Sequence, residues 1–133
     1  MTVEVVVLDT DVASHVMRGS LPGAVARRLR GAALAVTFVT VGELYRGAAH
    51  GRWGSRRLAA LAEWLAPLPV LSGSESVARR WGELTGNALI AGRPLPSNDA
   101  WIAACCLAND AALATLNVRH YADIADLDLA VSS

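Results

Sequence analysis

At 133 residues, 53% of them apolar, the chain has the length of one domain with its own core and is too hydrophobic to be disordered. Its formal charge is zero, which excludes a global basic field as the means of attracting nucleic acid. All twelve basic side chains are arginine and none is lysine, so any mechanism that needs a catalytic lysine is excluded as well.

Val5-Val6-Val7-Leu8 is a short β-branched, apolar run that stops on Asp9, and it predicts a fully buried first strand. Thr10 or Asp11 is expected to cap a helix running to about Arg18. Pro22 opens a second helix carrying Val25 and Leu29, stopped by Gly31. Leu34 to Val39 reads as the second strand, with Thr40 capping a third helix whose inner face holds Val41, Leu44, Tyr45 and Ala48. Gly47, Gly51 and Gly54 break the chain around Trp53. The fourth helix follows, with Leu58, Leu61, Ala62 and Leu65 on its apolar face, and Pro67 and Pro69 end it. Val70-Leu71 is a short third strand. Ser74 starts a longer helix with Val77, Trp81, Leu84 and Ala88 at helical period, and Gly92 to Pro96 is a loop.

Ser97 is expected to cap a helix that is apolar nearly all round from Ala100 to Ala108, a pattern that implies burial on several sides. Ala112 to Thr115 and the weaker Leu127 to Val131 complete a set of four or five strands. Alternating strands and helices predict an α/β fold, a parallel sheet covered by helices on both faces, with residues 1–133 forming one domain. No apolar run approaches membrane length and no basic segment precedes the first one, so neither a membrane span nor a signal peptide is expected. Cys105 and Cys106 are adjacent, without disulfide or zinc-site spacing, which agrees with a reducing cytoplasmic setting.

Parallel strands share one carboxyl edge, and four oxygen-bearing side chains fall there. Asp9 ends the first strand, Glu43 and Asp99 lie in the first turns of the helices after Thr40 and Ser97, and Asn117 follows the fourth strand. Carboxylates about 4 Å apart repel by about 4 kcal/mol at a surface-like dielectric, so such a cluster calls for a proton or a cation. Hard oxygen ligands without histidine or cysteine select magnesium or manganese, and the chemistry this favours is phosphodiester hydrolysis. Each residue also has a structural alternative. Thr40 and Glu43 fit a capping box, Asp99 suits the dipole of its helix, and Asn117 suits a turn. Asp9 has the weakest such alternative, because Thr10 and Asp11 already supply capping groups.

Leu8-Asp9-Thr10, Thr40-Val41-Gly42-Glu43-Leu44, Asn98-Asp99-Ala100-Trp101-Ile102-Ala103 and Thr115-Leu116-Asn117-Val118-Arg119-His120-Tyr121 resemble, in order, the motifs of PIN-domain ribonucleases, and most closely the VapC toxins of bacterial toxin–antitoxin modules. The resemblance spans nearly the whole chain. It implies a PIN-like fold and a Mg2+-dependent endoribonuclease, with Mn2+ as a substitute, neutralised by a small VapB-like antitoxin and expected to form a homodimer. By position it makes Asp9, Glu43 and Asp99 the metal-binding carboxylates, with Asn117 the fourth catalytic position and Thr10 and Thr115 supporting hydroxyls. Many PIN domains carry aspartate where this chain has Asn117; that neutral residue argues for one cation rather than two.

Among the remaining residues, His15, His50 and His120 read as surface or packing residues. Trp64, Trp81 and Trp101 read as core or interface residues at helical spacing. Trp53, between glycines and arginines, and Arg46 are candidate RNA contacts, although Arg46 also stands one turn from Glu43 and can pair with it. Asp9-Thr10-Asp11 mimics the aspartate pair of haloacid-dehalogenase-type phosphatases, and receiver domains share an acidic pocket, but both use a lysine. The alternative that Asn117 sustains is a non-catalytic PIN-like module that binds RNA or protein.

Overall fold

The computed structural model describes residues 3–130. Its elements run β1 (Val5–Leu8), α1 (Thr10–Arg18), α2 (Gly23–Leu29), β2 (Ala33–Thr37), α3 (Phe38–His50), α4 (Ser55–Leu65), β3 (Val70–Leu71), α5 (Glu75–Ile90), α6 (Ser97–Ala108), β4 (Ala112–Ala114) and α7 (Val118–Tyr121). The sheet is parallel with strand order β3-β2-β1-β4, so β1 is central. Its pairings set Val6 beside Leu34 on one side and Ala112 on the other.

Alternation along β1 divides the core into two layers. Val6 and Leu8 face a cluster with Val12 and Ala13 of α1, Leu44 of α3, and Leu61 and Leu65 of α4. Val7 faces the opposite layer, with Ala35, Leu113, and Ile102, Ala103 and Cys106 of α6. Each buried Val or Leu of this kind contributes about 1.5–3 kcal/mol of transfer free energy. The apolar α6 is enclosed on two sides as its composition implies, because its Ala104 and Cys105 pack with Val77 against α5.

Several boundaries differ from the sequence expectation, and each difference comes from a side chain. Asp9 itself caps α1: its Oδ1 accepts from the Val12 N–H at 2.8 Å, so Thr10 and Asp11 are helical rather than capping. β2 stops at Thr37, not Val39, because the Thr37 hydroxyl accepts from the Thr40 N–H at 3.2 Å and starts α3 three residues early. Thr40 therefore lies inside the helix, and Glu43 stands in its second turn rather than its first. Pro22 and Pro96 occupy the cap positions of α2 and α6 without side-chain cap bonds, so Ser97 is the first helical residue of α6. Ser74 does cap α5.

The fifth strand is reduced to a single parallel bridge, Leu113 to Leu129, held by Ala130 N–H to Leu113 O and Leu113 N–H to Asp128 O, each at 2.8 Å. β4 ends at Ala114 and offers only three residues, while Asp126, at φ 65°, turns the chain just before the bridge. Val131 lies outside the described residues. Tyr45 and Leu58, expected on inner faces, are exposed. Among the described residues no helix is long and apolar enough to cross a membrane.

Candidate active site

The carboxyl edge of the sheet is built around Asp9, which is 4% exposed at the junction of β1 and α1. Burial is the main cause that pushes its carboxyl above the usual aspartate range. Hydrogen bonds from the Thr115 hydroxyl and the Val12 N–H pull it back, and the charges of Asp11 and Asp99 push it up again. Asp9 is thus a buried carboxylate whose negative charge is only partly compensated, beside a second carboxylate.

Glu43 is held to both neighbours of this pair. Thr10 Oγ1, next in sequence to Asp9, donates to Glu43 Oε1 at 2.5 Å. Asn98 Nδ2, next in sequence to Asp99, donates to Glu43 Oε2 at 3.3 Å. The buried Thr40 hydroxyl lies 3.1 Å from the Thr10 hydroxyl and completes the chain. These bonds replace the capping-box alternative: Glu43 does not reach back to the start of its helix but across to α1 and α6. Nor does Arg46 take it, for among the described residues Arg46 forms no ion pair with Glu43.

Asp99, in the first turn of α6, is engaged on both oxygens. His120 Nδ1 stands 3.0 Å from Oδ2, and the Tyr121 hydroxyl donates to Oδ1 at 3.1 Å. Burial, then the charges of Asp99 and Asp9, raise the Tyr121 hydroxyl far above its ordinary range, so it remains a donor. Thr115 is buried and accepts from the Asn117 N–H at 2.9 Å. Asn117 is exposed at the start of α7, and its side chain makes no cap bond. Trp53 is half-buried against the first core layer, with the Arg57 guanidinium 3.9 Å above its ring.

Asp9, Glu43, Asp99, Thr10 and Thr115 therefore meet at one edge, with Asn117 at its rim, whereas Arg46 and Trp53 belong to the α3–α4 side. Reading the sequence undervalued His120 and missed Tyr121 and Asn98. The signal was present in the adjacency of His120 and Tyr121, two polar side chains in the short helix just past the fourth strand. Among the described residues no three His, Cys, Asp or Glu side chains close on a single point. The donor set fits a hydrated hard cation rather than a caged one: magnesium keeps several waters and takes one or two carboxylates directly. A cleft of ≈ 600 Å³ opens beside this edge, with Arg80, Arg93, Leu95, Arg119 and His120 in its walls.

The PIN domain family matches residues 6–127. The chain is 30% identical over 124 residues to ribonuclease VapC1 of Haemophilus influenzae strain R2866, across 90% of this chain and 92% of that protein. The structure of VapBC-1 from nontypeable Haemophilus influenzae aligns with a TM-score of 0.81 and 28% identity over 94% of this chain and 96% of that one. DNA-bound VapBC from Salmonella typhimurium gives a TM-score of 0.84 over 96% and 97%, a likeness of fold at 21% identity. With a matching sheet, carboxylates gathered at its carboxyl edge and sequence similarity across nearly its whole length, the chain belongs to the PIN domain family.

Proposed function

We propose that this protein is an endoribonuclease toxin that hydrolyses RNA phosphodiester bonds and is neutralised by a cognate VapB-like antitoxin. Its relatives are named ribonuclease VapC1, and its structural neighbours include VapBC assemblies. The observation that carries the reading is the bridge of Thr10 and Asn98 to Glu43, which ties the neighbours of Asp9 and Asp99 to a third carboxylate.

Asp9 and Asp99 are the proposed ligands of Mg2+, with Mn2+ able to substitute, and Glu43 completes the site and orients the attacking water. A cation held there would supply a more acidic water and would neutralise charge developing on the phosphate. Thr10 holds Glu43 against rotation, and Thr115 shares its hydroxyl between Asp9 and the Asn117 N–H. Asn117 adds polarity without charge, which favours one cation. Arg46 and Trp53 are proposed contacts for flanking RNA, and the cleft beside His120 gives a polymer room to continue past the edge. The protein is proposed to act in the cytoplasm as a homodimer, each chain a single PIN-like domain over residues 1–133.

The test is cleavage of RNA with magnesium, with EDTA, and with the Asp9→Asn and Asp99→Asn variants. Loss of cleavage in EDTA and in both variants is expected; cleavage equal to wild type in the variants refutes the assignment. The second reading, a non-catalytic RNA- or protein-binding module, draws on the exposed, neutral Asn117. It predicts RNA retention by wild type and both variants with no product at any magnesium concentration. Co-expression with a small protein encoded upstream, followed by co-purification and loss of cleavage, tests the antitoxin.

A further inference from the structure

Both oxygens of Asp99 are committed to partners from one short helix. A carboxylate only accepts, so the proton in its pairing with His120 sits on the imidazole Nδ1. Tyr121 is 2% exposed and packed with Val7, Ile102 and Leu113, so its hydroxyl is fixed by the core rather than free to swing. Asp99 itself keeps a quarter of its side-chain surface exposed, and His120 about half. A partly exposed carboxylate whose charge acts on the buried Asp9 gains by rotating into water. Among the described residues, the side chains bonded to that carboxylate are His120 and Tyr121, one on each oxygen.

We propose that His120 and Tyr121 are positioning residues that hold the Asp99 carboxylate facing Asp9, so that one lone pair of each oxygen stays aimed at the shared site. The inference rests on the nuclease reading and deepens it. Two lone pairs per oxygen leave one free after each of these bonds. His120 and Tyr121 are consecutive in α7, so one short helix places both clamps on Asp99. Neither residue needs to touch RNA to act. Their effect passes through Asp99.

The test uses the full chain with Tyr121→Phe, which removes only the hydroxyl, His120→Ala, and His120→Asn, whose amide restores an N–H near the place of Nδ1. Mn2+ affinity is measured by calorimetry, and kcat and KM on single-stranded RNA at saturating Mg2+. Partners that orient a ligating side chain are typically worth about 10–100-fold in metal affinity or activity, and a loss in that range is expected for Tyr121→Phe and His120→Ala. KM should stay near wild type while kcat falls, and His120→Asn should recover most of the loss. Wild-type Mn2+ affinity and kcat in Tyr121→Phe and His120→Ala, with only a lowered melting temperature, overturn the proposal, as does His120→Asn failing as badly as His120→Ala. Asp99→Asn is the control that separates the two readings. If Asp99→Asn binds Mn2+ like wild type, the metal reading has failed, and crystal structures of wild type and the His120→Ala/Tyr121→Phe pair decide: a carboxylate that turns away from Asp9 upholds the clamp, an unmoved one overturns it.

Discussion

Replacing Asp9 with asparagine is expected to make the cation-free protein more stable while abolishing its activity. Asn keeps the oxygen that accepts from the Val12 N–H at 2.8 Å and ranks with Asp as a helix cap, so the start of α1 survives. What the substitution removes is a buried charge. Burial is the largest cause that raises the pKa of Asp9, and repulsion from Asp11 and Asp99 adds to it; relief from these together is about 2 kcal/mol, the order of one like-charge repulsion at an effective dielectric of about 20. Against that, the charge-assisted cap bond becomes a neutral one and loses about 1 kcal/mol. The net gain is about 1 kcal/mol, or a melting temperature higher by about 3–5 °C for a domain of this size.

Urea denaturation in EDTA at pH 7 reads this directly, and its pH dependence has a definite sign. The folded-state pKa of Asp9 is raised, so the cost of its charge is present above that pKa and disappears as pH falls through it toward the unfolded value. The advantage of Asp9→Asn must therefore shrink on acidification. Magnesium must reverse the ranking, because a cation at about 100 times its dissociation constant stabilises wild type by about 2.7 kcal/mol and leaves the variant behind. A variant that is less stable than wild type in EDTA, or whose advantage grows as pH falls, refutes the account of Asp9 as an uncompensated buried charge.

Three further outcomes follow from contacts at the same edge and from the core. Thr10→Val keeps the shape of the side chain but removes the hydroxyl between Glu43 and Thr40; it should cost about 1 kcal/mol by urea denaturation and lower kcat/KM about tenfold or more. Thr37→Ala removes the cap of α3 and should cost about 1 kcal/mol, visible as a shifted urea midpoint with unchanged m-value. Burial pushes the Cys105 thiol up to about 11 and Cys106 higher still, so a thiol reagent at pH 8 should label neither in the native protein and both after denaturation.

The sheet was legible because runs such as Val5 to Leu8 are apolar throughout and need burial on both faces, and because Asp9 sits where that run meets a helix. Helix starts were less legible. Several hydroxyls and carboxyls within three residues of one another compete for the same N–H groups, and only tertiary packing decides among Asp9, Thr10 and Asp11, or between Thr37 and Thr40. That choice moved Glu43 by most of a helical turn, so its partners Thr10 and Asn98, roughly 33 and 55 residues away in the chain, lay beyond any local pattern. The clamp on Asp99 was half visible. The adjacency of His120 and Tyr121 is local, but that the pair faces α6 is a property of β4 lying next to β1.

That adjacency also orders events in time. Val6 pairs with Ala112, so the centre of the sheet waits for a segment made after most of the chain has been synthesised. Closing a loop of this length costs only about 0.6 kcal/mol for each doubling of its size, but the partner strand must first exist. At about 5–20 residues per second, some 5–20 seconds separate synthesis of Asp9 from that of α7. For most of that interval the carboxylates at the end of β1 and in α3 lack Asp99, and until its end they lack the side chains that hold Asp99. A ribosome making this protein is therefore beside an unfinished nuclease until the last quarter of the domain emerges, and any fragment truncated before α6 is expected to be harmless to the RNA that encodes it.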